Sequence, residues 1–206
     1  MMEDLRMAEL LCTRLCHDLT GPIGAVHNGA EFLSEEGFNM SNVPADAGQI
    51  TAVVYVNGFA PDPGESAFTL AGKFPGSMLG ETTLQPVPRG DGTTDLYIVK
   101  DRFHELFCPD VPAQTAEQLA VTQRPATQEA LFAASGDRPL WREVPSWFLI
   151  GDEDRIIPPE LQRFMAERAG AQRTIEIPGA SHALPVSQPQ AAADLILEAA
   201  GQLAVA

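Results

Sequence analysis

Three short runs rich in β-branched or aromatic residues, each closed by glycine or proline, most constrain what this chain can fold into. Ile50-Thr51-Ala52-Val53-Val54-Tyr55-Val56 is bounded by Gly58 and Pro61. Trp147 to Ile150 and Thr174 to Ile177 are two more strand candidates, each followed by glycine or proline and then polar residues. A β-branched run without polar alternation is what a strand buried on both faces of a parallel sheet requires. Between the last two runs lies Pro158-Pro159-Glu160-Leu161, leading to Ala169-Gly170, with proline at a helix start and glycine at its end. Gln188 to Leu203 follows, with Ala191, Leu195, Ile196 and Ala199 at helical spacing. Strand, helix, strand, helix in this order predicts an α/β fold with a parallel sheet.

Residues 62–140 break that rhythm. Gly90-Asp91-Gly92, between Leu84 to Val87 and Leu96 to Val99, reads as a hairpin turn. Helical patches follow at Arg102 to Phe107, Ala113 to Thr122 and Thr127 to Ala134, separated by prolines. An insertion between two strands of a sheet is either a mainly helical cap over a pocket or an excursion with no pocket role.

The head of the chain has a different period. Leu5, Ala8, Cys12, Leu15 and Leu19 step by three or four, and the stripe continues through Pro22, Val26, Ala30 and Leu33. This predicts one long helix over residues 3–36, ended by Gly37 and Asn39. His17 falls opposite the stripe, and Pro22 should kink the helix beyond it. The expected organisation is therefore an N-terminal helical unit, 1–40, and an α/β unit, 41–206, whose insertion covers about 62–140.

Composition narrows the function. A net charge of −15 with only 13 Lys and Arg argues against nucleic acid, which needs clustered cations. No apolar run approaches transmembrane length, so no membrane role is expected. Cys12, Cys16 and Cys108 are odd in number and lack paired spacing. Cys12 and Cys16, at i and i+4, read as small core residues sooner than as ligands, and neither a metal nor a cofactor is expected. Glu3, Asp4 and Arg6 interrupt any signal-like opening, which makes the expected location the cytoplasm.

From about residue 43 onward the chain resembles the C-terminal half of an α/β-hydrolase of the esterase-like, capped kind. The carrying segments are Val53-Val54-Tyr55-Val56-Asn57-Gly58-Phe59-Ala60-Pro61-Asp62, Trp147-Phe148-Leu149-Ile150-Gly151-Asp152-Glu153-Asp154, and Ile177-Pro178-Gly179-Ala180-Ser181-His182. The resemblance implies a partial α/β-hydrolase sheet made of the last three parallel strands. It also implies Asp154 as the triad acid and His182 as the triad base, acting on a small acyl or ester substrate. Read alone, Asp154 could pair with Arg155 or cap the helix near Pro158, and His182 could be a loop residue. Asp152 and Glu153 stand one or two places early for the acid.

The nucleophile elbow of that family, Gly-x-Ser-x-Gly, occurs nowhere in the sequence. Gly76-Ser77-Met78-Leu79-Gly80 has the wrong spacing, and no early glycine-rich segment supplies oxyanion donors. An acid and a base without a nucleophile cannot carry out covalent acyl transfer. A half-sheet also leaves an inner edge to be covered, by the first helix or by a second copy of the chain in a homo-oligomer.

Residues 4–36 resemble the first helix of a bacterial histidine phosphotransferase. Ala8-Glu9-Leu10-Leu11-Cys12, Arg14-Leu15-Cys16-His17-Asp18-Leu19, Gly21-Pro22-Ile23-Gly24-Ala25-Val26 and Asn28-Gly29 carry it. The resemblance implies His17 as a phosphoacceptor, Asp18 as the acid that helps activate it, and a response-regulator receiver domain as partner. His27 does not match the motif. After Gly37 no second helix of matching pattern follows to close a four-helix bundle. The expected function is thus an esterase-related hydrolase impaired by its missing nucleophile, with phosphotransfer through His17 as the alternative and a fusion of two fragments as the third reading.

Overall fold

The computed structural model describes residues 33–34, 37–38 and 52–203, with side chains described from 52 to 201. Its centre is a parallel sheet of β3 (Val53–Val56), β7 (Ser146–Gly151) and β8 (Arg173–Ile177), in that spatial order. Val53 to Val56 pair with Ser146 to Leu149, and Trp147 to Gly151 pair with Arg173 to Ile177. Each of the three runs therefore contributes a strand to one sheet, as expected.

Alternation along β3 and β7 explains why both faces are filled. Val53, Tyr55, Phe148 and Ile150 point to one side, where Leu161 and Met165 of α5 (Pro159–Arg168) complete a core with Leu70, Leu106 and Trp141. Val54, Val56, Trp147 and Leu149 point to the other, against Ala192, Leu195 and Ala199 of α7 (Pro189–Leu203). Successive strand residues face opposite ways, so a strand sandwiched between helices must be apolar throughout. Tyr55 and Phe148 stack with ring centroids 4.6 Å apart. Burial pushes the Tyr55 hydroxyl well above its ordinary range, with the Arg168 charge opposing weakly, so it stays neutral. The β8 strand is more open, with Arg173, Thr174 and Glu176 exposed.

Between β3 and β7 runs the insertion. It holds α1 (Ala67–Ala71), the antiparallel pair β4 (Leu84–Pro88) and β5 (Thr94–Ile98), then α2 (Lys100–Phe107) and α3 (Ala113–Thr122). β6 (Ala126–Thr127) adds to β5, and α4 (Gln128–Phe132) follows. The expected hairpin is present, with Gly92 at φ 89° in its turn. The cap is mainly helical and carries the expected hairpin, to which a two-residue strand too short to show a period adds a third member. A 3-10 turn at Leu140–Arg142 and the short α6 (Leu184–Ser187) were not legible either.

At the head, β1 (Leu33–Ser34) pairs antiparallel with β2 (Gly37–Phe38). Residues 33–34 are therefore strand where the last turn of a helix was expected. The rest of the predicted helix, with His17, Asp18, Cys12, Cys16 and His27, lies outside the described residues. No helix among the described residues is long and apolar enough to cross a membrane.

Candidate active site

At the C-terminal end of β7 the chain turns sharply through Gly151, whose hypothetical Cβ would lie 2.4 Å from the Ala180 carbonyl oxygen. Only glycine lets the acid loop pass so near the loop after β8. Asp154 lies three residues on, 3% exposed. Its Oδ1 accepts from the amides of Ile156 and Ile157 at 2.8 and 2.9 Å. Its Oδ2 accepts from Gln162 Nε2 at 2.9 Å and stands 2.8 Å from His182 Nδ1.

Four donors among the described residues thus converge on one buried carboxylate and satisfy it. An acceptor-only partner at Nδ1 fixes the ring proton there and leaves the lone pair of neutral His182 on Nε2. Asp154 does not pair with Arg155, whose guanidinium donates instead to the Glu105 carbonyl at 3.0 Å. Nor does it cap α5, whose N-cap is Pro158 with no side-chain bond. Asp152 and Glu153 are exposed, and Asp152 Oδ1 accepts from the Gly179 amide at 2.6 Å.

His182 follows β8, its side chain 18% exposed. The turn before it uses Gly179 at φ 74°. Two residues that sequence reasoning missed hold this arrangement. Asn57, 3% exposed and at φ 46°, ends β3 in the left-handed region that Asn tolerates better than most residues. Its Oδ1 accepts from the Gly151 amide at 2.8 Å, while its Nδ2 donates to the Ser181 and His182 carbonyls at 2.7 and 3.2 Å. One side chain therefore clips the ends of β3 and β7 to the loop that follows β8. Gln162, on the buried face of α5, divides its amide hydrogens between Asp154 and the Ile157 carbonyl at 2.8 Å. The signal for Asn57 was an Asn-Gly pair ending a strand; Gln162 stood out only as a polar residue among apolar neighbours.

The cap touches both loops. Met78 donates its amide to the Arg155 carbonyl at 2.8 Å, and Ala183 donates to the Phe107 carbonyl at 3.1 Å. Asp110 Oδ2 accepts from the Ser181 amide at 3.1 Å, and the Phe107 ring meets His182 edge-on at 4.9 Å.

Ser77, Ser181 and Cys108 lie beside these loops. Ser77, in the near-miss of the elbow, donates its hydroxyl to the Ile156 carbonyl at 2.9 Å. Ser181 is fully buried, and its hydroxyl accepts from the Ala183 amide at 3.2 Å. Burial and then the Asp110 charge push the Cys108 thiol up to about 11, leaving it protonated at neutral pH. Among the described residues, no three His, Cys, Asp or Glu side chains gather as a metal site.

Known proteins share this architecture. Polyneuridine aldehyde esterase superposes with a TM-score of 0.58 at 18% identity, over 72% of this chain and 61% of that one. The methylesterase protein MES16 from Arabidopsis gives 0.56 at 13% identity, over 73% and 59%. The pyrethroid hydrolase PytH gives 0.52 at 22% identity, over 75% and 62%. The chain thus spans about three fifths of the length of these structures. Separately, 33 residues are 52% identical to protein phosphotransferase ChpT of Brucella abortus (strain 2308), 16% of each chain. The profile of the Alpha/beta hydrolase family matches residues 15–195, most of the sequence. With that match added to the parallel sheet and its helices, the chain belongs to the alpha/beta hydrolase family.

Proposed function

We propose that this is an esterase-related member of its family in which Asp154 and His182 are the acid and the base, and in which acyl transfer by the chain alone is impaired. The observation carrying the first half is the 2.8 Å contact between His182 Nδ1 and Asp154 Oδ2, at the ends of neighbouring strands. Open α/β sheets present their chemistry at that end. The buried carboxylate orients the imidazole and stabilises its protonated form once Nε2 has taken a proton. The substrate class is a small acyl ester admitted beneath the cap.

The second half rests on the absent Gly-x-Ser-x-Gly and on the engaged hydroxyls of Ser77 and Ser181. Without an activated nucleophile the pair is left with general-base attack by water. The test uses methyl or ethyl butyrate followed by titration of the released acid, together with a fluorophosphonate probe. The expected result is hydrolysis barely above buffer and no covalent label. Many turnovers, blocked by stoichiometric fluorophosphonate labelling, would reveal a nucleophilic hydroxyl and overturn the reading.

The local identity to a protein phosphotransferase favours a second reading, in which His17 accepts a phosphoryl group with Asp18 assisting. The partner would be a response-regulator receiver domain. Acid-labile phosphate on His17 after incubation with a phosphorylated receiver supports it; a chain left unlabelled while the receiver keeps its phosphate rejects it.

A further inference from the structure

We propose that His182 is itself a nucleophile toward activated acyl donors, namely aryl esters whose leaving group departs as a stabilised phenolate. This rests on the Asp154–His182 pairing proposed above and goes beyond general-base chemistry. Three observations carry it. The ring is held from one side only: Nδ1 faces Asp154 Oδ2, and no hydrogen bond reaches Nε2 from any described residue. The Asp154 carboxylate cannot swing away, because two backbone amides and Gln162 hold it. The imidazole is 18% exposed beside the edge of Phe107, so a small acyl group has an approach and an apolar wall.

A neutral imidazole with its lone pair directed outward attacks carbonyl carbon, and histidine is among the side chains that form covalent acyl intermediates. The Nε2 lone pair forms a bond to the acyl carbon, and the bond from that carbon to the aryl oxygen breaks, releasing phenolate. The ring becomes an acyl-imidazolium whose Nδ1 proton remains hydrogen-bonded to Asp154, so the new positive charge faces a carboxylate. Water then adds to the acyl carbon. The carbon–nitrogen bond breaks, one proton of that water passes to solvent and offsets the phenolate's charge, the carboxylic acid leaves with the other, and the neutral imidazole returns with its proton on Nδ1. An alkyl ester does not react this way, because alkoxide leaves far less readily than imidazole from the tetrahedral adduct.

His104 offers an internal contrast, since its Nε2 lies 3.0 Å from the Val111 carbonyl and carries the proton that this contact requires. Asp154→Asn gives the sharper contrast. The Ile156 and Ile157 amides require the oxygen of the new amide at their end, so its NH2 faces His182. Nδ1 must then accept, the ring proton moves to Nε2, and the attacking lone pair is lost.

The experiment treats the full chain with p-nitrophenyl acetate, follows nitrophenolate release, and localises acetyl groups by tandem mass spectrometry. The expected result is transient acetylation of His182, stripped by hydroxylamine, absent in His182→Gln, and reduced roughly tenfold or more in Asp154→Asn. Acetyl confined to lysines or other histidines, or unchanged release in His182→Gln, overturns the proposal. Circular dichroism confirms that both variants are folded, and His182→Gln alone decides should Asp154→Asn fail to fold. The 15N shifts of the wild-type ring separate the two levels of argument. A proton on Nδ1 without acetylation defeats only the nucleophile, whereas a proton on Nε2 defeats the pairing on which it rests.

Discussion

The two described three-stranded sheets of this molecule are built on opposite principles. In the central sheet every residue of β3 and β7 is buried, and each side chain has a partner layer. In the cap sheet β4 is exposed along four of its five residues and carries Pro86 and Pro88. Proline cannot donate to a ladder, so it fits an outer strand such as β4 and blunts its free edge. The central sheet is therefore specified by packing on both faces, and the cap sheet by turn chemistry and register. The Asp154–His182 pair hangs from the first kind of sheet, and its loops meet the insertion outside the second, at Met78, Phe107 and Asp110.

That contrast breaks if changes in the two sheets cost the same. The largest effect is expected at the crossing beneath the pair. Gly151→Ala drives a methyl into the Ala180 carbonyl and should cost about 4 kcal/mol or more, or prevent folding. Gly90→Ala in the cap hairpin meets nothing within 4 Å and should be nearly silent in urea unfolding. Phe148→Ala follows, at about 3–5 kcal/mol, against less than about 0.5 kcal/mol for Val87→Ala on exposed β4. Equal shifts in midpoint for the two would remove the distinction.

Asn57→Gly comes next. It preserves the left-handed backbone and deletes three hydrogen bonds, two of them buried, at an expected cost of about 2–3 kcal/mol. Loss of the slowly exchanging Nδ1 proton of His182 in NMR spectra should accompany it, because the loop backbone is no longer clipped. If that proton survives unchanged, Asn57 is a fold element alone.

The smallest effect concerns the joint between sheet and cap. Desolvation works to raise Glu65, but bonds from Lys73, the Asp62 amide and Arg168 outweigh it and hold the carboxyl below its ordinary range. A folded value below the unfolded one means that its stabilisation is present above the unfolded value, near 4.3, and fades as pH falls through the folded value. Because Glu65 is partly exposed, the share is about 0.5 kcal/mol. Glu65→Gln should flatten the acid limb of stability against pH by that amount, and an unchanged limb would assign it elsewhere.

How much of this the sequence disclosed follows from where the information is stored. The strands of the central sheet were legible because a run such as Val53-Val54-Tyr55-Val56 states its own burial. Asp154 and His182 were singled out because each follows a recognisable strand. Asn57 was not, since its partners lie 94 to 125 positions away and nothing local distinguishes a clip from a turn residue. Gln162 was hidden in the same way, eight residues from the carboxylate it serves. The strand Ala126–Thr127 escaped because two residues cannot display a period. At Leu33 the apolar spacing of a helix was outweighed by strand pairing with Phe38.

The connectivity of the central sheet sets an order of assembly. β7 meets β8 after residues 152–172, whereas β3 must wait for residues 57–145 to be threaded before it reaches the same partner. Closing the longer excursion costs about 1 kcal/mol more in chain entropy, and contacts distant along the chain form slowly. The β7–α5–β8 unit, with Asp154 and Gln162 on its first connection, therefore nucleates early. Asn57 arrives last with β3, and its amide locks two loops that until then can still rearrange.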